Sequence, residues 1–223
     1  EEFIVGPQGE FHFMEMNTRQ QVEHPVTELT HGIDLVEWQL RIAHGEALPL
    51  TQEQVVSHGH AIEGRLYAED PEQNFPPGSG KLLALRLPAP SRHVRIDGGV
   101  AQGDTVTIFY DPMIAKLIVW DADRPQALQR LREALAECEI EGPKSNIAFL
   151  ERLVRHPAIT GAHIDTGYLD RHLDEFVTGH GEPDARTPFA AATAALLHDE
   201  AHIAANPADP HSPWASADAW RVG

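Results

Sequence analysis

The chain begins with two strand-like runs on either side of four turn-forming residues. Glu2-Phe3-Ile4-Val5 and Glu10-Phe11-His12-Phe13-Met14-Glu15 flank Gly6-Pro7-Gln8-Gly9, a pattern that closes a β-hairpin. The second run does not stop where its apolar residues stop. In FMEMNTRQQVEH a period of two continues through Glu15, Asn17, Arg19, Gln21 and Glu23. Successive side chains of extended backbone alternate between faces, so these five share one side if the chain stays extended. Such a face serves water or a charged ligand rather than a core. Folded on a four-residue loop, the hairpin sets Val5 against Glu10, Ile4 against Phe11 and Glu2 against Phe13. Glu15 then becomes the diagonal, same-face neighbour of Glu2, within about 7–8 Å. Two carboxylates so placed repel one another unless something positive lies between them. A hard divalent cation, Mg²⁺ or Mn²⁺, would do this with Asn17 adding an amide oxygen. Arg19 could also neutralise Glu15 on a solvated face, and spacing alone leaves both open.

Composition narrows the classes. The 223 residues suffice for one large domain or two small ones. With 17 basic and 34 acidic side chains the net charge is −17, which repels phosphate backbones and anionic bilayers. Neither nucleic acid nor membrane is an expected partner. One cysteine, Cys138, permits no internal disulfide and fits a reducing compartment: the cytoplasm, or the mitochondrial matrix in a eukaryote. No signal-peptide pattern is present, and the Ala-rich stretch 189–197 is too short to span a bilayer. The chain starts at Glu1, already inside a strand-like pattern, and is expected to be a piece of a longer protein.

Along the chain, Ile33, Val36, Leu40 and Ala43, at intervals of three or four, predict a helix over 25–43, stopped by Gly45 and Pro49. Strands are expected over 61–67, 81–87, 93–96, 105–110 and 115–120, divided by Asp-Pro, Pro-Pro-Gly and Asp-Gly-Gly breaks. Two amphipathic helices follow. The first has Pro125 as its first residue and Leu128, Leu131 and Leu135 as its stripe; the second has Ile147, Leu150 and Val154 and ends at Pro157. A third, shorter helix carries Tyr168, Leu169, His172, Leu173 and Phe176. Past Thr178 the Ala, Pro, His and Asp content reads as a linker toward another module. Cys138, at a helix end, reads as a small core or boundary residue.

Arg19 and Glu23 supply what a phosphate or carbonate site needs: a guanidinium fork that matches a planar oxyanion, and a carboxylate able to act as general base. Arg65, in Glu63-Gly64-Arg65-Leu66-Tyr67, points away from Ile62, Gly64 and Leu66. By pattern alone it is an ordinary surface arginine.

Three stretches carry a resemblance. EMNTRQQVEHPVTELT at 15–30, GRLYAEDP at 64–71 and YDPMIAKLIVW at 110–120 resemble biotin carboxylase, the ATP-grasp, biotin-carboxylating part of acyl-CoA carboxylases. The resemblance covers about residues 1–177. It implies an α+β fold: residues 1–50 as the C-terminal end of an ATP-grasp domain, and 51–177 as the biotin carboxylase C-terminal domain. That second domain would be mainly antiparallel sheet with packed helices. Residues 178–223 would form a helical, Ala/Pro-rich linker and the start of a subunit-contact domain. HSPWASADAWRVG at 211–223, with Glu37-Trp38-Gln39-Leu40, is similar to the 3-methylcrotonyl-CoA branch of the family and its geranyl-CoA relative.

By the same resemblance Glu2, Glu15 and Asn17 fall on metal-site positions, with Glu2 and Glu15 also binding ATP. Arg19 falls on the catalytic arginine that steadies carbonate and the biotin enolate. Val22 falls on a backbone contact to bicarbonate, Glu23 on the base that deprotonates it, and Arg65 on the arginine that meets bicarbonate and the ureido oxygen of biotin. The implied reaction joins bicarbonate to the γ-phosphate of MgATP and then carboxylates biotin. The implied partners are a biotin-bearing carrier, a carboxyltransferase subunit and a second copy of the chain. The family's glycine-rich lid, its ATP-binding lysines and the Met-Lys-Met of the biotin acceptor are not among these residues, so this chain alone is expected to be inactive.

Two other motifs mislead. Gly78-Ser79-Gly80-Lys81 resembles the end of a phosphate-binding loop, but Phe75 stands at its first glycine and Leu82 follows the lysine. His198 and His202 are spaced as on one helix face, without a third ligand nearby. Two other functions share part of the pattern: a carboxylate–amine ligase of ATP-grasp type, and a non-catalytic dimerisation or docking module.

Overall fold

In the computed structural model, Glu1–Val177 forms one compact unit. The structure describes residues 1–177, 192–194 and 196–197. Apart from residues 192–194 and 196–197, the linker expected over 178–223 lies outside the described residues, as do the His198/His202 pair and the 211–223 stretch.

The hairpin forms from β1 (Glu2–Val5) and β2 (Phe11–Glu15), in a register different from the one expected. The Gly9 N–H donates to the Gly6 carbonyl at 3.0 Å, and the Gly6 N–H to the Glu10 carbonyl at 2.8 Å. Gly9 sits at φ +84°, so the loop tightens to three residues ending in a left-handed glycine. Val5 therefore faces Phe11, Ile4 faces His12 and Phe3 faces Phe13. A β-bulge between Glu2 and Phe3 then brings Glu2 directly opposite Glu15 rather than diagonal to it.

The single helix expected over 25–43 is two. α1 (His24–His31) ends at Gly32, φ 65°, whose N–H bonds the Glu28 carbonyl. α2 (Leu35–Ala43) restarts on an Asp34 cap, whose carboxylate accepts from the Glu37 N–H at 2.8 Å. Its apolar residues are exposed: Val36 is 46% and Leu40 69% accessible.

Downstream, β3 (His60–Tyr67), β4 (Gly80–Lys81), β5 (Ala84–Arg86), β6 (Val94–Gly98), β7 (Thr105–Val106) and β8 (Met113–Asp121) lead to α3 (Arg124–Ala136). They are followed by β9 (Glu139–Glu141), α4 (Ile147–Arg155), α5 (Pro157–Thr160) and α6 (Tyr168–Phe176). Some of these depart from the pattern. The 81–87 strand breaks into β4 and β5, and β5 pairs with an unforeseen β9. The 105–110 strand stops at Val106, leaving Phe109 and Tyr110 exposed. Pro125 is the second helical residue of α3, because Asp123 caps and Arg124 leads. Gly80 and Lys81 lie in a strand, so no phosphate loop forms there.

The antiparallel sheet β3-β8-β6 organises the unit. Its two faces differ in chemistry because side chains alternate along each strand. Gly64, Leu66, Ala115, Leu117 and Val119 face α3 and α4, where Leu128, Leu131, Leu135 and Val154 complete a buried core. Each leucine so buried contributes about 1.5–3 kcal/mol. Across the opposite face run Arg65, Lys116 and Asp97, adjacent in register on three neighbouring strands. The segment after the hairpin and α1 pack against that charged side.

Candidate active site

Two clusters of polar side chains meet at the segment joining hairpin to α1. The first grows from the bulged register. With Glu2 opposite Glu15, the Asn17 amide nitrogen reaches both carboxylates, at 2.6 Å to Glu2 and 3.1 Å to Glu15. The Asn17 amide oxygen accepts from Arg19 at 3.4 Å. The hairpin thus gathers two carboxylates around one donor, the position a hard cation would share with them. Turned over, the same amide would offer its oxygen. This donor set of two carboxylates and an amide fits Mg²⁺ or Mn²⁺.

The second cluster lies on the charged side of the sheet. Glu23 is the cap residue of α1, yet its side chain makes no capping bond. It pairs instead with Arg65 at 2.9 Å. Arg65 is 41% accessible, and its outward strand position now has a partner 42 residues away. Val22, one residue before Glu23, accepts a hydrogen bond from Lys116 through its carbonyl at 2.8 Å.

Both anchors of this segment come from the sheet. Glu28, buried in α1, accepts from Arg95 at 2.6 Å and from the Leu35 N–H at 2.7 Å, so α1 is tied to β6 and to the start of α2. Arg95 also grips Asp97 at 2.8 Å. Burial raises the Asp97 carboxyl, but its bonds to Arg95 and Lys116 outweigh this and hold it below the usual carboxylate range. Glu63 is different. Its side chain is 5% accessible, and neither carboxylate oxygen has a hydrogen-bond partner. Burial pushes its pKa up, with Lys116 and Arg65 opposing that only in part.

The structure thus gathers Glu2, Glu15, Asn17 and Arg19 in one bonded chain, and Val22, Glu23 and Arg65 around Lys116 in another. Among the described residues no hydrogen bond joins the two, which are linked through residues 19–23. Lys116, Asp97 and Glu63 escaped sequence reasoning. The one available signal was a lysine inside the otherwise apolar run MIAKLIVW.

Residues 63–171 match the Biotin carboxylase C-terminal domain family, and residues 1–51 the Carbamoyl-phosphate synthase L chain, ATP binding domain family. The chain belongs to the biotin carboxylase family. Its segment from this family ends an ATP-grasp domain with the hairpin, α1 and α2, and continues as the C-terminal domain built on the β3-β8-β6 sheet.

Among curated relatives, the mitochondrial methylcrotonoyl-CoA carboxylase subunit alpha of Dictyostelium discoideum is 47% identical over 221 residues, 99% of this chain and 32% of the relative. The Mus musculus subunit is 48% identical over 199 residues, 89% of this chain and 28% of the relative. The chain therefore spans about a third of the length of the curated relatives it matches. Among solved structures, a Hydrogenobacter thermophilus 2-oxoglutarate carboxylase biotin carboxylase domain dimer, in complex with MgADP, ADP and bicarbonate, is similar at TM-score 0.76 and 39% identity. It covers 80% of this chain and 39% of that one. The biotin carboxylase subunit of a pyruvate carboxylase is similar at TM-score 0.76 and 41% identity, covering 80% and 39%. Among the described residues of this biotin carboxylase segment, no helix is long and apolar enough to cross a membrane.

Proposed function

We propose that this segment supplies the bicarbonate- and biotin-handling part of a biotin carboxylase, the first half-reaction of an acyl-CoA carboxylase of methylcrotonoyl-CoA type. The Glu23–Arg65 ion pair at 2.9 Å carries this reading, because it sets a base and an oxyanion-binding fork side by side. Likeness to a structure holding MgADP and bicarbonate supports it, as does likeness to methylcrotonoyl-CoA carboxylase alpha subunits. The dimer seen in that relative supports pairing of two copies. Mitochondrial relatives favour the matrix for a eukaryotic source.

In this reading Glu23 takes the proton of bicarbonate, while the Val22 N–H and the Arg19 guanidinium hold its oxygens. Glu2, Glu15 and Asn17 would hold a divalent cation, which would neutralise charge on the nucleotide phosphates. The nucleophile that Glu23 exposes attacks the γ-phosphorus of ATP, giving carboxyphosphate and ADP. Carboxyphosphate releases CO₂ and phosphate, and the phosphate takes the N1 proton of biotin. Arg19 and Arg65 then stand beside the negative charge that develops on the ureido oxygen, a preorganised electrostatic role.

Two substitutions in the intact natural protein test the division of labour. Arg19→Ala is expected to lower carboxylation of free biotin about 100-fold or more while MgATP binding stays within about 3-fold. Glu15→Gln should instead weaken the metal-dependent nucleotide step, raising the Mg²⁺ concentration needed for half-maximal ATP turnover. Near-normal carboxylation by Arg19→Ala would overturn the assignment. The 223-residue chain alone is expected to hydrolyse no ATP in response to bicarbonate.

A further inference from the structure

We infer that Lys116 is a positioning residue for bicarbonate, one that aims the Val22–Glu23 step from the central strand of the sheet. The inference rests on the carboxylase reading above and goes beyond it, since Lys116 belongs to none of the residues assigned there.

Lys116 is 8% accessible, and an ammonium so buried needs a reason to be there. Its shortest contact is not a carboxylate. Its Nζ donates to the neutral carbonyl of Val22 at 2.8 Å, while Asp97 stands farther off at 3.3 Å. If Lys116 served only to neutralise acids on the sheet, Glu63 would be its natural partner. Glu63 faces the same region, yet both of its oxygens remain unbonded. The lysine is instead drawn to a peptide 94 residues earlier in the chain.

That peptide is the one between Val22 and Glu23. Because a peptide unit is planar, holding the Val22 carbonyl orients the whole unit, the Glu23 N–H included, and so limits the rotations at Val22 and Glu23 on either side of it. The Glu23 N–H and the starting direction of the Glu23 side chain, next to Val22, are thereby constrained together. The anchor itself is stiff. β8 is bonded on both sides, to β3 and β6, and Ala115 and Leu117 beside the lysine are 1% and 0% accessible. The same ladder places Arg65 across from Lys116 on one side and Asp97 on the other. One strand position therefore sets the spacing between the arginine and the base that meet in the Glu23–Arg65 pair. A site held by a core strand in this way is more accurately placed than one left to its loop.

Steady-state kinetics of bicarbonate-dependent ATP hydrolysis by the intact natural protein, with free biotin, tests this. Lys116→Met keeps the bulk and removes the donor. It is expected to raise the KM for bicarbonate about 10-fold or more, with the KM for MgATP within about 2-fold of wild type. Lys116→Arg keeps a donor near the Val22 carbonyl and should recover most of the loss, to within about 3-fold. It also provides the same comparison if the methionine variant does not fold. A merely structural lysine would move both KM values together. A common shift in either folded variant, or no shift in bicarbonate KM for Lys116→Met, overturns the inference while leaving the carboxylase reading intact. A wild-type protein without bicarbonate-dependent ATP hydrolysis would overturn both.

Discussion

Glu63 shows how much one side chain on the charged face matters. It is buried, unbonded and surrounded by Lys116, Arg65, Glu23 and Asp97, and burial raises its pKa above the ordinary 4.5. A carboxyl whose folded pKa is raised binds its proton more tightly folded than unfolded. Its contribution to stability is full below the unfolded value and is lost as pH rises through the folded value. Glu63→Gln is neutral throughout and does not lose that contribution. Thermal unfolding of the variant and the wild type at pH 4, 5.5 and 7 should show the variant gaining on the wild type as pH rises. A constant difference across the series would exclude this. The same scale explains what the sequence could reveal. Glu15, Asn17 and Arg19 were legible because they continue a period of two past the apolar residues. However, β2 ends at Glu15, and Glu23 lies in a turn and pairs with Arg65 instead of sharing their face. Glu63 and Lys116 were not legible, because their chemistry depends on a partner 94 residues away in one case and on desolvation in the other.

At the scale of elements, glycines decide where the backbone can go, and two of them separate strain from space. Gly142 follows β9 at φ +122°, and a Cβ there would lie 2.1 Å from the Lys81 carbonyl oxygen. Beside it the Leu83 N–H bonds the Glu141 carbonyl at 2.8 Å, closing the β5–β9 ladder. Gly9 has a similar left-handed backbone, φ +84°, with nothing within 4 Å of a built Cβ. Gly9→Ala should therefore cost only the backbone term, about 1 kcal/mol. Gly142→Ala adds a clash with main chain that cannot rotate away and should cost about 3 kcal/mol. Urea unfolding of the two variants measures the difference, and equal losses would mean that the Lys81 approach relaxes freely. Glycine also explains the misread elements. A four-residue turn and a left-handed three-residue turn share the sequence Gly-Pro-Gln-Gly, and the register between them is set by the φ of Gly9. Gly32 likewise divides a helix whose apolar spacing continues across it. β9 is too short, at three residues, to show a period.

At the scale of the molecule, the unit is well closed on one side and bare on another. α3 and α4 seal the apolar face of the sheet, whereas the hairpin exposes Phe3, Ile4, Val5, Phe11, Phe13, Met14 and Met16, and α2 exposes Val36, Leu40 and Ile42. Periodicity placed Val36 and Leu40 on a helix, and an amphipathic helix has a face for a partner. It cannot say whether that partner lies within the same 223 residues. Exposed apolar surface on this scale marks a place where more protein belongs, which agrees with relatives about three times as long. The consequence can be measured in both settings with Phe11→Ser. In the isolated chain Phe11 is 69% accessible and touches Phe3 edge to face at 5.7 Å. Its replacement there should cost no more than about 1 kcal/mol and should visibly lower binding of a hydrophobic dye. In the intact natural protein, covering residues would bury the same ring, and the substitution should cost about 3 kcal/mol with little change in dye binding. Equal costs in the two settings would show that the hairpin face stays open to water in the longer protein, and the clustered aromatics would then need another partner.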